Sequence, residues 1–215
     1  MQDQVKVWDV PTRLFHWLLV VLFGAMWWSG EQGELMLHAR LGVGLLVLVV
    51  FRVLWGLWGS ETARFGNFVR GPAAIAAYLR GEPQAHAGHN PLGALMVLAM
   101  LAALLLQLGM GLFALDTDSY LYDGPLAKLL DSELAEQISN WHGAWFNVLL
   151  LLVVVHVLAI AAYRFLRGEN LVRAMLTGSK LRTTGIRVPV MRSAWLALLL
   201  LAVAAALVLG GLSLV

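Results

Sequence analysis

Four stretches of this chain, 14–30, 91–115, 137–163 and 193–215, contain no Asp, Glu, Lys or Arg. A helix that crosses a membrane needs about 20 predominantly apolar residues. A fifth stretch, 35–58, is equally apolar but carries Arg40 and Arg52. The sequence therefore predicts five spanning helices at 12–29, 35–58, 91–114, 141–163 and 193–214. Composition agrees: 60% of the residues are hydrophobic and 13% charged, where a soluble domain has roughly 25% charged. The same numbers exclude disorder, collagen and coiled coil. Long Leu/Val/Ala runs without alternation do not suit a membrane barrel. There is no cysteine, which excludes disulfides, thiolate-held zinc, Cys-ligated iron–sulfur clusters, covalently attached haem and cysteine nucleophiles. Residues 1–9 are polar and no small-residue cleavage site follows, so the first span reads as a retained helix rather than a signal peptide.

Lys and Arg in the flanks set the orientation. With a cytoplasmic N-terminus, Lys6, Arg13, Arg52, Arg64, Arg70, Arg80, Arg164, Arg167, Arg173, Lys180, Arg182, Arg187 and Arg192 lie inside, and only Arg40 and Lys128 outside. The acids lean the other way, with Glu31, Glu34, Asp116, Asp118, Asp123, Asp131, Glu133 and Glu136 outside. Thirteen cations against five acids inside, and two against eight outside, give +8 and −6. Five spans then place the C-terminus on the outer side. The overall charge of +2 thus reflects membrane topology, and no nucleic-acid partner is expected. Residues 61–90 form an inner connection with an interfacial helix expected near 72–80. Residues 116–140 form an outer one. Its segment 125–138 places Leu126, Leu129, Leu130, Leu134 and Ile138 on one helical face, which predicts a helix lying on the bilayer or a docking surface.

Of six histidines, His16, His38, His142 and His156 fall within spans. Ionisable side chains there are costly and usually mark function; a plain interhelical hydrogen bond is the alternative. Depth favours function. His142 and His156 are 14 residues apart, about 21 Å along a helix and within about 40° of the same side. One helix thus offers an imidazole near each membrane face. His38 starts the second span level with His142, and His16 starts the first span in the half that holds His156. Two pairs follow, His38 with His142 and His16 with His156. Paired neutral imidazoles suit the axial positions of a haem iron, whereas zinc or copper would want three or four ligands at one level.

Haem also needs space, for which Gly42 and Gly143 are candidates, and cations for its propionates. Arg13, Arg40 and Arg52 lie near the proposed ligands in sequence or by helical register. Snorkelling to the interface is the alternative for Arg40 and Arg52. His89 opens the third span. It reads as a quinone-headgroup or proton-uptake residue, with Asn90 beside it, as an alternative ligand to the inner iron, or as a member of a helix start in which Asn90 caps and Pro91 occupies the first turn. His86 reads as a loop residue.

Several runs together resemble the bacterial cytochrome b561 family, which includes hydrogenase-type cytochrome b subunits. They are Val7-Trp8-Asp9-Val10-Pro11-Thr12-Arg13-Leu14-Phe15-His16-Trp17, Leu37-His38-Ala39-Arg40-Leu41-Gly42, Phe51-Arg52-Val53-Leu54-Trp55-Gly56, Gly88-His89-Asn90-Pro91-Leu92-Gly93, the His142/His156 helix, and Asn170-Leu171-Val172-Arg173-Ala174-Met175-Leu176-Thr177-Gly178. The resemblance covers about residues 5–180. It implies an all-α integral membrane protein of the bacterial inner membrane with a four-helix di-haem core over 1–180; the basic linker and fifth transmembrane helix that the apolar runs predict over 181–215 lie outside that four-helix pattern. It further implies two haem b, the four histidines as axial ligands, and quinone as substrate. The expected function is electron transfer between the quinone pool and a periplasmic partner, either a c-type cytochrome or a dehydrogenase or hydrogenase subunit. The alternatives are a stand-alone quinone-linked oxidoreductase acting on a small oxidant or superoxide, and a non-redox transport subunit.

Overall fold

The computed structural model describes residues 4–82, 88–116, 122–181 and 187–214. His86, Asp118 and Arg182, which entered the sequence argument, lie outside them. In chain order the elements are β1 (Gln4–Lys6), α1 (Val10–Glu31), α2 (Leu35–Trp58), α3 (Phe65–Phe68), α4 (Pro72–Leu79), α5 (Pro91–Phe113), a 3-10 turn (Ala127–Leu129), α6 (Ser132–Leu166), α7 (Leu171–Thr177), β2 (Ser179–Leu181) and α8 (Ala194–Ser213). Five of these, α1, α2, α5, α6 and α8, are long and apolar enough to cross a membrane.

In helices apolar on every side, periodicity says little about where they begin, and capping side chains set the ends. Asp9 accepts from Thr12 N at 2.7 Å before α1. Asn90 accepts from Gly93 N at 2.8 Å before α5, Asp131 from Leu134 N at 2.9 Å before α6, and Asn170 from Arg173 N at 2.9 Å before α7. Each satisfies an amide that the first turn leaves without a partner.

One expectation is corrected here. Residues 125–138 are not a separate surface helix. A 3-10 turn ends at Leu129, and a single helix of 35 residues runs from Ser132 through the fourth span. Asp131 starts that helix, and no Pro or Gly interrupts residues 132–142. At 1.5 Å per residue, α6 is about 52 Å long, well beyond a hydrocarbon core of about 30 Å. The expected helix near 72–80 is present as α4.

The chain forms two compact units. The first comprises Met1–Phe15, Arg52–Ala99 and Val154–Leu200. In it β1 pairs antiparallel with β2, Val5 opposite Lys180. Val5, Val7, Trp8 and Ala174 are buried around this pair, with Met175 against them. Three-residue strands are too short to show alternation in sequence. The amides of Val7 and Trp8 both donate to Gly178 O, at 2.7 and 3.0 Å. Gly178 has φ +83°, and a Cβ there would stand 2.7 Å from Trp8 O, so glycine is required twice over. The basic segment after β2 is also anchored. Glu61 accepts from Val190 N at 2.8 Å and from Arg187, and these bonds hold its carboxyl below its usual pKa.

Asp9 ties this unit together. It is 3% exposed; one carboxylate oxygen caps α1 while the other accepts from Trp55 Nε1 at 3.1 Å. Asp9→Ala would remove both the cap and the carboxylate that accepts from the buried indole N–H of Trp55. It should destabilise the protein by on the order of 2–4 kcal/mol, whereas Asp9→Asn, which keeps an acceptor oxygen, should recover most of the loss. Thermal unfolding in detergent measures both.

The second unit comprises His16–Phe51, Met100–Val153 and Leu201–Val215. Leu45, Leu48, Val49, Leu101, Ala103, Leu104, Leu149 and Ala204 are buried in it. Phe146 stacks on Phe23 and tilts against Trp27, with ring centroids 5.9 and 5.7 Å away. Trp145 Nε1 donates to Ala103 O at 3.1 Å.

Candidate haem site

In the second unit the rings of His38, from α2, and His142, from α6, face each other with centroids 6.1 Å apart and planes 84° apart. His38 Nδ1 lies 3.0 Å from Met26 O, with Ser29 Oγ at 3.3 Å. His142 Nδ1 lies 3.0 Å from Gln107 O. A carbonyl only accepts, so each Nδ1 carries the proton and donates. That leaves the lone pair on Nε2, the tautomer a metal-ligating imidazole needs. Among the described residues no three His, Asp or Glu side chains cluster to hold a metal ion. This arrangement is therefore a pair, which fits axial ligation of a planar macrocycle better than a site needing several protein ligands.

Gly143 has nothing within 4 Å of where a Cβ would be, while Gly42 faces the Met26 side chain at 3.4 Å. Of the two, only Gly143 offers open space.

His16 belongs to the same unit as His38 and His142, and its ring meets Trp17 edge-on, centroids 4.9 Å apart. His156 belongs to the other unit and is half-buried on α6. Arg40 is exposed and directs its guanidinium to Met36 Sδ at 3.2 Å. Arg52 does not snorkel. It is 3% exposed, donates to Ala63 O at 3.3 Å, and lies 5.9 and 5.3 Å from the ring centres of Phe15 and Phe65. Arg13 donates to Leu176 O, and its Nε is buried with no hydrogen-bond partner among the described residues.

His89 is held between Trp8 and Phe68, with ring centroids 4.6 and 4.7 Å away. Its Nδ1 is buried without a partner among the described residues. Burial first, then the positive charges of Arg52 and Lys180, push its pKa down to about 3. His89 is therefore neutral throughout pH 6–8. It can offer or accept a hydrogen bond there, but the proton relay by titration near pH 7 that the sequence suggested is removed by burial. Asn90 caps α5 through Oδ1, and its Nδ2 donates to Tyr163 OH at 2.6 Å. Tyr163 in turn pairs with Tyr78, and Arg167 lies over both rings.

Sequence reasoning missed Gln107, whose side chain donates to His142 O at 3.0 Å. Its signal was available: it is the single charged or amide side chain in α5. It also missed Asp9 as the partner of Trp55, since nothing in the spacing of residues 9 and 55 announces contact.

Five membrane-length helices and a facing pair of neutral imidazoles define a multi-pass membrane protein with a site suited to haem. Comparison with known proteins agrees. The sequence pattern described as prokaryotic cytochrome b561 matches residues 7–178, so the chain belongs to that family of transmembrane helical bundles and is a membrane b-type cytochrome of electron transfer, carrying haem b. Two relatives are each described as a probable Ni/Fe-hydrogenase B-type cytochrome subunit. The one from Bradyrhizobium diazoefficiens is 22% identical, over 82% of this chain and 85% of the relative. The one from Rhizobium leguminosarum bv. viciae is 24% identical, over 84% and 90%. No solved structure matches the chain.

Proposed function

We propose that this cytochrome binds two haem b groups and carries electrons between the quinone pool and a redox partner at the outer membrane face. His38 and His142 would hold the outer haem; His16 and His156 would hold the inner one, a pairing that rests on helical rise and register. The observation that carries the reading is the His38–His142 pair, in which each Nδ1 donates to a backbone carbonyl and each Nε2 keeps its lone pair, that of His142 lying 3.3 Å from the Gln107 side-chain amide. Haem supplies one-electron exchange; the protein supplies ligands, spacing and charge. Arg13, Arg40 and Arg52 are the proposed partners of the propionates. For Arg13 the buried, unpartnered Nε supports this role.

The distribution of Lys and Arg supports an inner-membrane protein with its N-terminus cytoplasmic and its C-terminus periplasmic. The family match ends at Gly178, in keeping with a di-haem core over 1–180 and a fifth helix added to it. The names of the two relatives favour a hydrogenase as partner. The outer charge of −6 would equally steer a basic c-type cytochrome toward that face.

Quinone would bind at the inner end near His89 and Asn90. His89 would act there as a fixed neutral hydrogen-bonding group against the quinone oxygen, and the two protons would be exchanged with water, taken up on quinone reduction and released on quinol oxidation. Quinol-driven haem reduction tests this in His89→Leu with both haems bound. The rate should fall at least tenfold, by a factor that is the same at pH 6 and pH 8. An unchanged rate would move the site to the outer face.

A further inference from the structure

α5 carries none of the proposed ligands, yet it makes most of the polar contacts of one of them. On the reading that His142 ligates the outer haem, we propose that Gln107 and Gly111 form a notch on α5 that seats His142, and that both are positioning residues setting that haem's potential.

The two residues are one helical turn apart and therefore share a face. Gln107 holds His142 twice. Its carbonyl accepts from His142 Nδ1 at 3.0 Å, and its side-chain amide donates to His142 O at 3.0 Å. In an α-helix the carbonyl of residue 107 also accepts from the amide of residue 111. A carbonyl has two lone pairs and can serve both donors, but the ring must then come right against the helix backbone. Gly111 makes that approach possible. A Cβ on it would stand 2.9 Å from His142 Cε1 and 3.4 Å from Nδ1, a separation under 3.0 Å that the ring could relieve only by moving off the carbonyl. Gly109, on the same helix, would put a Cβ into open space. The room for His142 is thus specific to position 111.

The consequence is electronic as well as steric. A hydrogen bond from Nδ1–H makes the imidazole a stronger donor through Nε2, which favours the oxidised metal. In this structure the Gln107 amide also lies 3.3 Å from His142 Nε2, while its Oε1 is buried without a partner among the described residues. An amide in an otherwise apolar span is costly unless bonded. Iron bound at Nε2 would displace that contact, and the bond from the Gln107 amide to His142 O would still tie α5 to α6.

Three variants test the notch by redox titration and by electron paramagnetic resonance of the oxidised haems. Gly111→Ala should raise the outer haem's potential by on the order of tenfold in the ferric-to-ferrous ratio, about 59 mV for one electron. It should also shift that haem's g values while the inner haem keeps its own. Gln107→Leu, which adds no atom to the notch, should shift the outer haem in the same direction by a smaller amount. Gly109→Ala should match wild type in both. Wild-type potentials and g values in Gly111→Ala, or equal shifts of both haems, would overturn the proposal. If Gly111→Ala fails to retain haem, Gln107→Leu decides, and an unshifted outer haem there overturns it. Retention of two haems by His142→Ala would instead overturn the ligand assignment itself.

Discussion

His38→Ala and His142→Ala should each abolish the same haem and leave the other bound with its spectrum intact. The two rings face each other at 6.1 Å, and each is locked by its Nδ1 hydrogen bond. On the proposed assignment, removing either would leave that haem a single protein ligand. The loss should be close to complete for that haem, because the surviving histidine cannot reach across. The double variant should look like either single one, since both remove one interaction. Haem extraction with the reduced-minus-oxidised spectrum resolves this. Equal loss of both haems in a variant whose helical content and thermal transition match wild type would contradict the pairing.

The second large effect concerns the other pair. His16→Ala and His156→Ala should each remove the haem that the first pair of variants retains. His16 lies on α1 one turn after Arg13, and His156 lies on α6 about 21 Å of helix rise from His142. His89 is the rival ligand for that iron. Its place between Trp8 and Phe68 argues for a fixed structural or quinone-facing role. If His89→Ala gives the spectrum of His156→Ala while His16→Ala keeps both haems, then His89 is the ligand and His16 is not.

Much of this was legible because membrane insertion imposes a strong one-dimensional signal. Uncharged runs located four of the five long helices and an apolar run with two arginines the fifth, α2, whose bounds are those the sequence predicted, Leu35–Trp58. The matched depths of His38 and His142 predicted a contact that is present. The N-terminal end of α6 was misjudged because Leu126, Leu129, Leu130, Leu134 and Ile138 were read as one face of a separate surface helix; such a stretch can equally include the protruding turns of a spanning helix. α7 was bracketed by its own signals, Asn170 as cap and Gly178 after the end, which were attributed only to the family resemblance. Contacts between residues distant in sequence left no trace. Arg52 was weighed between haem and the membrane interface, but its niche of Phe15, Phe65 and Ala63 depends on how three segments meet. The polar hold of α5 on His142 was invisible for the same reason, since Gln107 and Gly111 acquire meaning only from the ring laid against them.

On the proposed reading, one chain of this b-type cytochrome carries two haems, each between a pair of histidines. The most direct measurement is the haem content of the purified protein, by extraction and by its reduced-minus-oxidised alpha band, against chain concentration. Two haem b per chain, both six-coordinate and low-spin, is the predicted result. One haem per chain, lost equally in His38→Ala and His156→Ala, would contradict it.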